Sequence, residues 1–360
     1  MSKKIVQNLH QSLEILNEFE NCALLDYPNH LNIGDHLIWI GAIFYLLDIA
    51  KTRIDYTASI SNFSHRRMQD KVGLSPIIFT GGGNLGDLWP AHQNFREQVI
   101  AYYRDRPIII LPQSIYFSSL DNLEKAANVF NSHPQLILFI RDQYSYRIAQ
   151  NYFSNCQIIH SPDMALHLIN FPDLNVNKQH SNQLLYHCRK DIEANEKFSP
   201  HGMQISNLLV EDWVSFDWVF GNPNSKLMQS IAYLIRESWQ RGLKTPQEWI
   251  DCQRWYKSHA YIAKFNHVDN PKLHYRSWSF IHSGIYQFSQ YPLIITNRLH
   301  GHILCIILKI PHVFLPNLYH KNQSFYESWT KQIPFCRFIQ DPLQVKPAVQ
   351  ELLELFPPKE

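Results

Sequence analysis

The sequence predicts an α/β chain, a parallel and doubly wound sheet followed by a second α/β unit. Two observations carry this. A short apolar run, a polar loop and a helical stretch recur at residues 22–25, 77–80, 107–111 and 136–140, and strands alternating with helices at such spacing form parallel sheets. Residues 171–181, rich in Pro and Asn and without periodicity, then set off a new series of apolar runs, as a linker between units does.

Each element has its own signal. Leu9, Leu13, Leu16 and Phe19 repeat at helical spacing, so residues 5–20 read as an amphipathic helix. Residues 22–25 form a buried strand, and the turn-rich loop from Asp26 to His36 leads into an apolar helix over residues 37–50. The strand at 77–80 precedes Gly81-Gly82-Gly83-Asn84-Leu85-Gly86-Asp87, and the one at 107–111 precedes Pro112-Gln113-Ser114. The strand at 136–140 ends at Arg141-Asp142 and enters a helix through residues 145–152. In the second unit, strands are expected at 184–188, 217–220, 293–296 and 313–315, around a Trp-rich helical middle over residues 222–279. The units are thus residues 1–172 and 182–338. Residues 339–360 add a helix over 345–355 that by its position can cross back onto the first unit.

Composition narrows the function. With 360 residues and 45% hydrophobic content the chain can bury a substantial core. Charged residues are only 18% and the net charge is +2, so no basic field marks a nucleic-acid partner. Aromatic residues reach 13%, with nine Trp and 19 His, a composition suited to handling sugars. The six cysteines show no CxxC pair and no zinc-finger spacing to histidine, so no disulfide or metal site is expected and a reducing cytoplasm is the natural setting. Lys3 and Lys4 are not followed by a signal-peptide apolar core, and the run at 303–308 is far too short for a membrane span.

Polar loops that follow parallel strands gather on one sheet edge, where α/β folds bind ligands. Thr296-Asn297-Arg298-Leu299-His300-Gly301-His302 is the most informative of them. A guanidinium there can hold a carboxylate or phosphate in two hydrogen bonds while an imidazole passes a proton. His302, one step into the helix, points elsewhere and reads as structural. The glycines from Gly81 to Gly86 can bring backbone amides to a phosphate or sugar at a helix start, without the lysine of a P-loop. Asn32-Ile33-Gly34-Asp35 offers an amide and a carboxylate in a turn, or simply a helix cap. Arg141 suits an ion pair or a substrate anion, and Arg189-Lys190-Asp191-Ile192-Glu193 suits a charged loop or ordinary solvated surface.

Taken in order, Asn32-Ile33-Gly34-Asp35, the Gly81–Asp87 loop, Leu111-Pro112-Gln113-Ser114, Arg141-Asp142 with Ser145, Pro162-Asp163 and Thr296-Asn297-Arg298-Leu299-His300-Gly301 resemble the polysaccharide pyruvyl transferase family over about residues 22–320. That resemblance implies two Rossmann-like domains facing across a cleft, as in GT-B glycosyltransferases. It implies transfer of pyruvate from phosphoenolpyruvate onto a sugar of an exopolysaccharide or cell-wall polymer precursor, forming a ketal and requiring no metal or organic cofactor. His300 then matches the general acid, and Arg298, the backbone at Leu299, and Arg141 match groups that hold the donor. Asn32, Gly34, Asp35, Gly82, Gly83 and Asn84 are assigned to the acceptor or to loop binding. A lipid-linked acceptor would place the chain at the inner face of the cytoplasmic membrane. Two other readings compete: a glycosyltransferase using a nucleotide sugar, and a non-catalytic glycan-binding assembly protein.

Overall fold

The computed structural model describes residues 2–171, 183–189, 195–203, 205–213 and 246–357, with Leu174, Glu193, Leu227 and Ser230 singly between them. Two compact units result, and the chain passes between them more than once. One comprises Met1–His30, Leu37–Leu168 and Ala263–His274; the other comprises Leu31–His36, Ile169–Ile262 and Tyr275–Glu360.

The first unit is a parallel sheet of seven strands: β1 (Asn21–Leu25), β2 (Arg53–Ala58), β3 (Ile77–Phe79), β4 (Gly82–Gly86), β5 (Ile108–Tyr116), β6 (Leu136–Ile140) and β7 (Gln157–His160). They lie in the order β2-β1-β3-β5-β6-β7, with β4 also paired to β5. Strands β1, β3 and β6 are apolar and buried nearly throughout, as expected of a sheet covered on both faces. The helices are α1 (Ser2–Ser12), α2 (Ile33–Phe44), α3 (His65–Val72), α4 (Pro90–Tyr102), α5 (Leu120–Ser132) and α6 (Gln143–Tyr152). Ser119 and Asp142 cap α5 and α6 by accepting the Asn122 and Ser145 amides. The helix expected over residues 5–20 breaks at Ser12 into a tighter turn, Glu14–Glu18. The apolar stretch Ile33–Ala50, expected from sequence as an apolar helix over residues 37–50, is long and apolar enough to span a membrane, yet 78% of it is buried within the protein. It is a core helix by that measure.

The second unit holds a parallel five-stranded sheet in the order β12-β11-β10-β8-β9. Its strands are β8 (Leu184–His187), β9 (Leu208–Glu211), β10 (Ile294–Thr296), β11 (His312–Phe314) and β12 (Cys336–Phe338). The helices are α7 (Pro246–Ser258), α8 (Pro271–Ser289), α9 (Leu299–Leu308), α10 (Lys321–Phe325) and α11 (Val345–Leu355). The strand expected at residues 217–220 lies outside the described residues. The C-terminal helix belongs to this second unit. Val345, Ala348, Val349 and Leu352 of α11 pack with Tyr186, Leu293, Ile295, Val313 and Leu315 of this second sheet, because their helical spacing makes one apolar face that the sheet buries. Trp213, Trp255 and Trp278 are buried, with Trp255 stacked on Trp278 at 4.5 Å, so these aromatics fill a core and are not a sugar platform.

The glycine-rich loop is also corrected. Gly82–Gly86 is a strand, and α4 starts only at Pro90. A Cβ at Gly81 would lie 2.6 Å from the Pro112 carbonyl oxygen, and one at Gly86 would lie 1.7 Å from that of Tyr116. Gly86 also has φ of 131°. These glycines let β4 run close beside β5. They do not present amides at a helix start.

Candidate active site

Each sheet has one point where the strand order reverses, and ligands bind outside the strand carboxyl ends at such points. In the first unit it lies between β1 and β3; in the second, between β8 and β10.

In the second unit, β10 ends at Thr296, and Arg298 takes an extended conformation (φ −96°, ψ 129°) as the N-cap of α9. The Arg298 amide donates to the Thr296 hydroxyl at 3.1 Å. The next amides, at Leu299, His300 and Gly301, head the helix where no preceding carbonyl can accept from them, which favours an anion there. Gly301 is required for this junction: a Cβ would lie 2.4 Å from Thr296 Oγ1 and 2.6 Å from His187 Nδ1.

Arg298 places its fork on Asp212, with Nε at 2.5 Å from Oδ1 and Nη2 at 2.7 Å from Oδ2. Burial works to raise the Asp212 pKa, but the hydrogen bonds and charge of Arg298 outweigh it and hold the carboxylate below its usual range. Asp212 therefore orients the guanidinium. His187, after which β8 ends, bonds Thr296 Oγ1 through Nδ1 at 3.0 Å and is driven by burial to a pKa of about 3, so it is a neutral spacer.

A second charged cluster adjoins this one through the Arg189 amide, which donates to Asn297 Oδ1 at 2.8 Å. Glu193 accepts from Arg189 Nη2 at 2.8 Å, from Lys321 Nζ, and from the Tyr319 hydroxyl at 3.1 Å. Asn322 fixes the frame by donating to the Asn297 and Leu315 carbonyls at 2.8 and 2.9 Å. Among the described residues, the cations Arg189, Arg298 and Lys321 thus meet the carboxylates Asp212 and Glu193 at these strand ends. Lys190, Asp191 and Ile192 lie outside the described residues. Burial alone would raise the Glu193 pKa; Lys321 and then Arg189 overcome it and bring it to about 2 from an ordinary 4.5. Since its folded pKa is depressed, Glu193 stabilises the fold above about pH 4.5, and that contribution disappears as pH falls towards 2. Urea midpoints measured between pH 6 and 3 should accordingly fall more steeply for the wild type than for Glu193→Gln.

His300, on the first turn of α9, is 8% exposed. The turn Asn32–Asp35 belongs to this same unit and lies against it. A Cβ at Gly34 would sit 2.4 Å from His300 Nδ1 and 2.5 Å from its Cβ. Asn32 holds the turn, its side chain accepting from the Gly34 amide at 3.1 Å and donating to Asp35 at 2.8 Å. His36 bonds Ser277 at 2.9 Å, and Ile33 contacts α8 at Gly284. Asn32, Gly34 and Asp35 therefore form a wall that seats His300.

The first unit carries a separate polar centre around Asn84, of which sequence inspection missed Asp26 and His92. Asp26 directly follows β1 with a left-handed backbone (φ 67°) and is 2% exposed. Its carboxylate meets His92 Nδ1 at 2.8 Å and Asn84 Nδ2 at 3.3 Å. Asn84 Oδ1 accepts from Arg96 at 2.8 Å and from Gln113 at 3.0 Å. Thr80 Oγ1 and Gln113 Oε1 are buried without a hydrogen-bond partner among the described residues. An acid immediately after the first strand was the available signal; its histidine partner, 66 residues on, had none.

Arg141, in contrast, is 1% exposed. Its Nε donates to Ser114 at 2.9 Å and Nη1 to Asp163 at 2.5 Å, and Asp163 is itself fully buried. These contacts form an ion pair joining the ends of β5, β6 and β7. Removing one partner of a buried pair strands the other charge. Asp163→Ala should therefore cost about 3–5 kcal/mol in urea unfolding.

The profile of the family described as "Polysaccharide pyruvyl transferase" matches residues 32–319. A Bacillus subtilis (strain 168) protein described as "Putative pyruvyl transferase EpsO" is 32% identical over 336 residues, 93% of each chain. "Pyruvyl transferase 1" of Schizosaccharomyces pombe is 26% identical over 323 residues, 85% of this chain and 69% of that one. A crystal structure of a functionally uncharacterised Klebsiella pneumoniae protein superposes with a TM-score of 0.56 at 19% identity, covering 93% of this chain and 98% of the other, and so shares the fold.

Proposed function

The chain belongs to the polysaccharide pyruvyl transferase family, and from that premise we propose that it moves pyruvate from phosphoenolpyruvate to two hydroxyls of one sugar, making a ketal and releasing phosphate. The observation that carries this reading is the junction of β10 and α9. There Arg298, the first amides of α9 and an enclosed His300 share one helix start at the reversal point of the sheet.

His300, protonated, gives its proton to the methylene carbon of phosphoenolpyruvate. Positive charge develops at C2, and one acceptor hydroxyl bonds there as its proton passes to His300. The second hydroxyl then bonds to C2 as the C–O bond to phosphate breaks, and its proton leaves with the phosphate. One ketal and one phosphate result, and the histidine is restored. Donor charge falls to Arg298, the α9 amides and the neighbouring cations Arg189 and Lys321, a preorganised field of the kind that lowers such barriers.

The acceptor side is assigned to the first unit's polar centre. Thr80 and Gln113 leave buried oxygens for hydroxyl groups to satisfy, and the Asp26–His92 pair suits proton exchange with a sugar hydroxyl. Asn84 organises this centre and does not itself need to touch the sugar. The acceptor is an exopolysaccharide or cell-wall precursor, and a lipid-linked one would bring the chain to the inner membrane face. All six cysteines are free thiols, which supports a reducing, cytoplasmic setting.

The test is phosphate release from phosphoenolpyruvate with a panel of lipid- and nucleotide-linked saccharides. Acceptor-dependent release, with a product heavier by one pyruvate ketal, is expected. Turnover of a nucleotide sugar in its place would establish the glycosyltransferase reading. Saccharide binding without turnover of either donor would establish a glycan-binding protein.

A further inference from the structure

We propose that the first unit carries a second saccharide site, an open hollow between α3 and the end of α4 that takes a sugar bearing a carboxylate. The hollow encloses about 810 Å³, within the range of small-molecule sites. His65, Arg66 and Gln69 line it from α3, and residues 102–106 line it from the last turn of α4 and the loop leading to β5. Tyr102 lies ten residues beyond His92 on α4, about 15 Å of helix. The hollow is therefore separate from the polar centre at Asp26.

Its floor is fixed by saturated contacts. Arg106 is buried, with Nε and Nη2 each 3.0 Å from an Asp105 oxygen, Nη2 donating also to Gln69 at 2.9 Å, and Nη1 donating to the Gly73 carbonyl. Its guanidinium lies 4.8 Å from the centre of the Tyr103 ring, and the Tyr103 hydroxyl meets His65 Nδ1 at 2.9 Å. Tyr102 stands on this floor, its ring 4.6 Å from that of His65 and 4.7 Å from that of Tyr103. It is nevertheless 67% exposed. A ring braced by two others and left in water offers an apolar face to the C–H groups of a sugar.

The rim supplies charge of both signs. Among the described residues Arg66 pairs only with Asp70, at 3.9 Å, and its side chain is 92% exposed. Arg104 is held by Nη2 to the Ser132 carbonyl at 2.6 Å. The first turn of α3 carries His65, Arg66 and Arg67 and no acid, a placement that the helix dipole disfavours and a bound anion relieves. Asp105, 55% exposed, accepts hydroxyl groups but repels a densely charged phosphate chain. One carboxylate among several hydroxyls matches this rim: the acid towards Arg66 and Arg104, a hydroxyl towards Asp105, and the ring on Tyr102. The ketal made by the proposed transfer is such a sugar, because the transferred pyruvate keeps its carboxylate; the identity of the ligand, though not the site, rests on that reading. The hollow then retains modified glycan away from the acceptor centre.

Calorimetry on the full chain, without phosphoenolpyruvate, tests this with trigalacturonic acid, the methyl galactoside 4,6-pyruvate ketal and neutral galactotriose. The acidic saccharides should bind, and the neutral one roughly 10-fold more weakly, the loss expected when a charge-assisted hydrogen bond is missing. Arg66→Ala should weaken acidic-saccharide binding roughly 10-fold and Tyr102→Ala roughly 5-fold. Both variants should keep wild-type phosphate release with a small acceptor, and His300→Ala should keep wild-type affinity for the acidic saccharides. Binding of neither acidic saccharide, affinity unchanged in both Arg66→Ala and Tyr102→Ala, or tighter binding of uridine diphosphate at this hollow would overturn the proposal. Trigalacturonate binding lost in these variants, in a chain that releases no phosphate with any acceptor, would uphold the site while removing the transferase reading.

Discussion

His300→Ala should lose at least ~100-fold in acceptor-dependent phosphate release while its affinity for phosphoenolpyruvate stays near wild type, since general acids typically contribute about 10²–10⁴-fold. The split follows from the architecture. Donor charge is met by Arg298, Arg189, Lys321 and the α9 amides, none of which the substitution removes, whereas the proton for the methylene carbon has no second source on this helix start. Direct donor binding by calorimetry, alongside turnover, separates the two effects. A variant that turns over normally would remove His300 from the chemistry. One that fails to bind donor would make it a binding group.

Gly34→Ala should be nearly as damaging, although position 34 carries no chemistry. The added methyl would lie 2.4 Å from His300 Nδ1 and 2.5 Å from its Cβ, and atoms so close to the α9 backbone cannot swing aside as a flexible side-chain tip would. Either the Asn32–Asp35 turn or the start of α9 must move, and misplacement of a catalytic group by about 1 Å can cost about 100-fold. Thermal stability and circular dichroism should change little, because the turn is a small part of the unit. The discriminating measurement is a double-mutant cycle: Gly34→Ala combined with His300→Ala should be no worse than His300→Ala alone. Additive losses would show that Gly34 acts through something other than the imidazole.

Much of this was legible from residue order. Alternation of apolar runs with polar loops and helices disclosed parallel sheets, because strands buried on both faces need continuous apolar sequence. Thr296-Asn297-Arg298-Leu299-His300-Gly301 was readable as a site because strand, loop and helix start are adjacent in the chain, and so is the chemistry they carry. The glycines at 81–86 were ambiguous because glycine permits both an anion-binding turn and a tight strand contact; the Pro112 and Tyr116 carbonyls that crowd Gly81 and Gly86 arrive from β5. The ion-pair partners of Arg141 were not legible for the same reason, since Ser114 and Asp163 lie 27 and 22 residues away.

The sequence by itself determined the two parallel sheets and the strand-to-helix junction bearing Arg298 and His300. Only the tertiary structure decided that residues 31–36 join the second unit to seat His300, that Asp26 meets His92, that the C-terminal helix packs on the second sheet, and that His65 meets Tyr102 and Tyr103. The division has one physical cause. Periodicity and helix starts are local properties of the chain, whereas close approach, ion pairing and ring contacts depend on which distant segments the packed sheets bring together.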